Sequence, residues 1–190
     1  MSTAFSTTLE TAVPSTETWS LDASHTHVGF AVKHLMISTV KGRFTETTGT
    51  VTLDPARQQT PDIAVAVTIG SINTGDEKRD AHLRSADFFD AELNPTMQFK
   101  SKRIEGDIAS RFTVYGDLTI RGTTREIGLQ VTNEGRVTDP WGNVRIGFSA
   151  TGELNRQDYG LKWNMALEAG GVVVADEVKI TIEGELVKQA

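Results

Sequence analysis

From Thr26 to His34 the chain alternates with period two: Thr26, Val28, Phe30, Val32 and His34 fall on one face, His27, Gly29, Ala31 and Lys33 on the other. The pattern predicts a strand with one apolar and one wet side. Leu35 to Val40 breaks the alternation, and Lys41-Gly42-Arg43-Phe44 then opens a second extended run, so this stretch reads as strand, short apolar lip, strand. The same period recurs in Ile63, Val65, Val67 and Ile69 and again in Val178, Ile180 and Ile182.

Extended patterning marks eight segments: Thr26–His34, Val40–Leu53, Asp62–Gly70, Met97–Ile104, Arg111–Ile120, Glu126–Asn133, Val144–Leu154 and Val178–Val187. Turn signals separate them at Asp54-Pro55, Asn94-Pro95, Arg121-Gly122, Asp139-Pro140 with Gly142, and Gly170-Gly171. Gly29, Gly49, Gly116, Gly128, Gly147 and Gly152 lie inside these strands, where glycine marks bulges and tight bends. Sheets bent in this way favour a barrel or a strongly curved sandwich. One segment, Gly75 to Phe89, reads as a short helix capped by Asn73 or Thr74, and a second short turn is expected around Met165 to Ala169.

Composition narrows the function. A chain of 190 residues suits a single all-β domain. A net charge of -6 without clustered Lys and Arg argues against a nucleic-acid binder, which needs cations to displace phosphate counterions. With no cysteine there is no disulfide or thiolate metal site. Residues 1–17 form a Ser/Thr-rich leader, read as a disordered tail before a domain spanning 18–190. The leader has no basic start and no apolar run, so the expected location is cytoplasmic, and no window is apolar enough for a membrane-spanning helix.

The histidines supply the candidate chemistry. His25 and His27 are spaced i, i+2 and would face one way in a strand, a geometry zinc can use, but His34 falls at odd separation from both. A metal-assisted hydrolase using His25 and His27 is therefore the enzyme alternative, weaker than surface or structural histidines. Asp80 and His82 are two apart on the expected helix and do not face each other, which favours a cap, a salt bridge or anchoring of the helix to the barrel over acid–base work. No strained serine elbow or phosphate loop is present.

Several ordered blocks resemble the YceI-like family of lipid-binding proteins. They are W-S-L-D-A-S-H-T-H-V-G-F-A-V-K-H-L from Trp19, V-K-G-R-F from Val40, R-D-A-H-L-R-S-A-D-F-F-D from Arg79, N-P-T-M-Q-F-K-S from Asn94, G-D-L-T-I-R-G-T-T-R-E from Gly116 and R-Q-D-Y-G-L from Arg156. The resemblance implies an eight-stranded antiparallel lipocalin-like barrel, one short helix covering its mouth or side, and an apolar pore for a polyisoprenoid, an isoprenoid quinone or a similar long-chain lipid. It also implies a carrier that is often a homodimer, with no cofactor beyond the lipid and no catalytic residues. Many relatives carry an export signal that this leader lacks.

With the apolar faces turned inward, the pore lining is expected from Val28, Phe30, Val32, Phe44, Ile63, Val65, Val67, Ile69, Phe99, Ile120, Phe148, Ile180 and Ile182. Leu35-Met36-Ile37 and the pair Phe88-Phe89 are candidates for the pore mouth, and His34 for a donor to a lipid head group or a buried carboxylate. The bland alternative is a structural or interaction protein whose side chains fill the barrel.

Overall fold

The computed structural model describes residues 16–54, 61–166 and 172–190. Its strands are β1 (Glu17–Leu21), β2 (His27–His34), β3 (Ser38–Phe44), β4 (Thr47–Leu53), β5 (Asp62–Thr68), β6 (Ile72–Asn73), β7 (Thr96–Gly106), β8 (Arg111–Ile120), β9 (Thr123–Thr138), β10 (Val144–Asn155) and β11 (Val174–Lys188), with helix α1 (Glu77–Arg84) between β6 and β7. The leader up to residue 15, Pro55 of the first turn signal, most of the expected turn near Met165 and Gly170-Gly171 lie outside the described residues.

All pairings are antiparallel, in the order β1-β4-β5-β7-β8-β9-β10-β11-β2-β3-β6, and β1 also pairs with β11. That second pairing closes the sheet. β11 meets β2 along its first part, from Val174 to Glu183, and β1 at its end, from Leu186 to Lys188. β1 and β2 are thus one bent stave, as are β3 with β4 and β5 with β6, so the eleven strands make the closed eight-stave antiparallel barrel.

Each bend has a local cause. Between β1 and β2 a single 3-10 turn, Ala23–His25, is capped by Asp22, whose carboxylate accepts from Ser24 N at 3.0 Å. The turn shifts the inward positions from odd (Trp19, Leu21) to even (Thr26, Val28) numbers. Between β3 and β4, Thr45 N and Glu46 N each donate to Ser71 Oγ at 3.1 Å, which satisfies amides that the break would leave unpaired.

α1 is shorter than the sequence pattern suggests. Asp76, rather than Asn73 or Thr74, caps it by accepting from Lys78 N and Arg79 N, both at 3.0 Å. Thr74 is otherwise engaged: its N–H and hydroxyl donate to buried Asp80, and Arg79 Nε donates to its Oγ1 at 2.7 Å. The helix ends at Arg84, and tight turns carry the chain through Phe88-Phe89, with Asp90 in the left-handed region at φ 51°. Arg84 donates to Gly70 O and Ile72 O, and Arg121 to Phe88 O, which ties this segment to the barrel.

Candidate ligand-binding cavity

Inward positions of the staves enclose two adjoining cavities. The larger is about 720 Å³ and the smaller about 200 Å³, and Val28, Val65, Phe99, Leu129 and Ile182 border both. The larger volume falls within the roughly 300–1,000 Å³ of small-molecule sites. Its wall is mostly apolar, interrupted by Thr26, Thr47 and Thr50, and at one end of the barrel Glu17, Asp54, Asn133 and Arg136 form a polar rim.

Two glycines help to keep this space open. The Phe30 ring tip lies 2.4 Å from where a Cβ on Gly42 would be, and that of Phe148 lies 2.8 Å from the corresponding point on Gly184. Gly42 is the cross-strand partner of Phe30, and Gly184 that of Phe148. Each ring therefore lies along the wall over its glycine instead of filling the lumen.

The other end of the barrel is covered and more closely packed. Phe88 is only 6 % exposed and packs with Phe44, Ile69, Ile72, Met97, Ile120, Tyr159 and Leu161 in one buried cluster. Phe88 and His82 stack edge-on at 5.1 Å, His82 and Trp163 at 4.8 Å, while Phe89 meets Phe44 edge-on at 6.0 Å. Buried Arg156 fastens the segment after β10 over this end, donating to the carbonyls of Leu161, Trp163 (2.9 Å), Val174 (3.3 Å) and Ala175 (2.9 Å) and to Asp176 Oδ1 (3.1 Å). Burial lowers the pKa of its guanidinium, and Asp176 works against that shift. Nearby, burial pushes the Tyr159 hydroxyl up to about 12, and that hydroxyl has no hydrogen-bond partner among the described residues.

Most expected lining residues border a cavity. Ile63 and Phe148 line the larger one; Phe30, Val32, Phe44, Val67, Phe88, Phe89, Ile120 and Ile180 the smaller; Val28, Val65, Phe99 and Ile182 both. Four do not line either cavity. Ile69 is fully buried within the packed cluster. His34, Leu35 and Met36 are displaced because Leu35 and Met36 adopt left-handed conformations, φ 51° and 60°, and close a tight hairpin with Ile37 N donating to His34 O at 3.2 Å. The expected lip thus projects into solvent, with Met36 60 % and Ile37 84 % exposed. Phe88 and Phe89 close one end; the polar rim of the larger cavity is at the other.

The sequence reading missed much of the larger cavity's wall. Phe112, Val114, Leu129 and Val131 follow the same period-two rule and were legible in β8 and β9. Ile146, two residues before Phe148 in β10, was legible by the same rule, whereas Leu21, Ile104 and Arg136 were not, because a bend or bulge next to each of them reverses the inward parity.

The expected histidine pair is not assembled. His25 sits in the 3-10 turn rather than in a strand, and among the described residues the group with converging ligand atoms is Asp22, His25 and Glu185, without His27. Arg145 already occupies that group: Nη1 is 2.6 Å from Asp22 Oδ2 and 2.9 Å from Glu185 Oε2, and Nε is 2.8 Å from Asp139 Oδ2. Hydrogen bonds from Ser24 and then Arg145 hold the Asp22 carboxyl well below the usual carboxylate range, and Arg145 does the same for Asp139. The cluster is an electrostatic clasp joining the β1–β2 bend, the β9–β10 hairpin and β11.

Known proteins share this architecture. A UPF0312 protein of Staphylococcus epidermidis is 38% identical over 170 residues, covering 88% of this chain and 95% of that one. The structure of Burkholderia cenocepacia BcnA superposes with a TM-score of 0.74 at 22% identity, covering 87% of this chain and 98% of that one. A polyisoprenoid binding domain from Saccharophagus degradans superposes with a TM-score of 0.69 at 17% identity, covering 90% and 98%. Among the described residues no helix is long and apolar enough to cross a membrane. Residues 19–186 match the YceI-like domain as a whole, and the chain belongs to that family.

Proposed function

We propose that this chain is a non-enzymatic carrier or store for one long hydrocarbon chain, an isoprenoid, an isoprenoid quinone or a similar lipid, held in the barrel lumen. The observation that carries this reading is the cavity of about 720 Å³ whose wall is uncharged and mostly apolar away from one polar rim. An aliphatic tail gains about 0.8 kcal/mol for each CH2 buried, or roughly 3–4 kcal/mol gross per five-carbon unit. A wall without charge along its length rewards tail length and shape over polar detail. The likeness to a polyisoprenoid binding domain supports the same ligand class.

The test uses Val65, which borders both cavities. Delipidated wild-type protein and Val65→Trp are incubated with a long-chain isoprenoid alcohol, freed of excess ligand, extracted with organic solvent and analysed by mass spectrometry. The wild type is expected to retain about one equivalent and the variant little, because the indole occupies the junction. Retention of no lipid by a folded wild type, or equal retention by the two, overturns the proposal.

A further inference from the structure

One bulge points an arginine where the strand's alternation would place a valine. Along β9, Ile127, Leu129, Val131 and Asn133 face inward at odd positions. Opposite them Phe148 pairs with Asn133 but Gly147 pairs with Gly135, so Glu134 is an extra residue. From there the parity reverses: Arg136, paired with Ile146, joins the cavity lining, while Val137 is 62 % exposed. Gly135 allows this with φ at +116°, a conformation that side chains rarely adopt, and Asn133 Oδ1 accepts its N–H at 2.9 Å.

Hydrophobic burial alone favours the opposite arrangement, with valine against the apolar cavity; Arg136 keeps 51 % of its side chain exposed while it joins the lining. A local device that works against burial is a pointer to function. The surroundings of Arg136 agree. Its ion pair with Glu17 is long, 3.8 Å, and its guanidinium stands 5.1 Å over the Trp19 ring. Glu17 is matched more closely by Lys188 Nζ at 2.7 Å, which leaves Arg136 only loosely paired on a rim that also carries Asp54. Among the described residues Arg136 donates no side-chain hydrogen bond, whereas Arg156 at the closed end donates to five acceptors. The lining arginine at the closed end is fully engaged, and the one at the rim has donors to spare.

We infer that Arg136 recognises the polar end of the ligand and that this end is an anionic oxygen group, a phosphate or a carboxylate, with the tail running inward past Val65 and Phe99. This rests on the carrier reading and adds head-group chemistry and ligand polarity to it. A planar guanidinium suits either oxyanion, because two parallel N–H groups meet two oxygens.

The test holds the tail constant. Delipidated wild type, Arg136→Gln, Arg136→Lys and the exchange variant Arg136→Val with Val137→Arg are titrated with geranylgeraniol, geranylgeranyl phosphate and geranylgeranoic acid. In the wild type one or both anionic ligands bind about tenfold or more tighter than the alcohol, and the two arms separate phosphate from carboxylate specificity. Arg136→Gln and the exchange variant lose that preference, binding the anionic ligands no tighter than the alcohol, and circular dichroism reports their folding. The exchange variant keeps the net charge, so its loss assigns the effect to position, and Arg136→Lys retains part of the preference. Equal binding of all three ligands by the wild type, or a preference that survives in Arg136→Gln, overturns the inference and leaves the carrier reading standing. Binding of none of them by folded protein overturns both.

Discussion

The two ends of this barrel obey one inward alternation and reach opposite outcomes. At the α1 end, a second layer made by Leu83, Phe88, Phe89, Leu161 and Trp163 packs onto the staves, and the side chains interlock around Ile69 and Ile72, leaving the smaller cavity of about 200 Å³. At the rim end no such layer covers the staves among the described residues, and inward residues such as Ile63, Val114 and Phe148 border empty volume. Apolar alternation therefore specifies which way side chains point. Whether they meet other side chains or open space depends on what covers the end of the barrel.

The contrast is broken most severely at its fastening. Arg156→Met removes the donor to four backbone carbonyls and Asp176, leaving buried acceptors without partners. A loss on the order of 3–5 kcal/mol is expected by urea denaturation. Next comes a matched pair of truncations. Phe88→Ala, in the buried cluster and beside only the smaller cavity, should cost about 3–5 kcal/mol, whereas Phe148→Ala, whose ring borders the larger one, should cost only about 1–2 kcal/mol. Equal costs would mean that the two ends are packed alike.

Tyr159→Phe sharpens the comparison in the other direction. It removes a buried hydroxyl that has no partner among the described residues, so stability should rise by about 0.5–1 kcal/mol, read as a higher denaturation midpoint. The smallest effect concerns the clasp on the rim side. Asp22 and Asp139 have folded pKa values below their unfolded ones, so their contribution to stability is complete above the unfolded value of about 3.9 and is lost as pH falls through the depressed folded values. The stability gap between wild type and Asp139→Asn should stay constant from neutral pH to about pH 5 and shrink as the solution is acidified further. A gap that widens in acid would contradict the assignment.

Strand positions and most inward faces were legible because period two survives wherever a stave is unbroken, as in Val28 to Val32 and Ile63 to Val67. What escaped the sequence was each place where parity reverses. The 3-10 turn at Ala23–His25 concealed β1, the extra residue near Lys102 concealed Ile104, and the extra Glu134 concealed Arg136. The hairpin at Leu35-Met36 misled for a related reason. Its left-handed conformation normally calls for Asn or Gly, so an apolar pair suggested a lining where there is an exposed tip. Nor could the sequence tell a closely packed end from an open one, because Phe88 and Phe148 present the same hydrophobic signal.

The central claim is that the lumen accepts a hydrocarbon tail, and calorimetric titration of delipidated protein with isoprenoid alcohols of increasing length tests it most directly. Affinity should climb steeply with each added unit and level off once the tail fills the lumen, with a heat capacity change that grows more negative along the series. Binding that is absent, or that is indifferent to tail length, would contradict it.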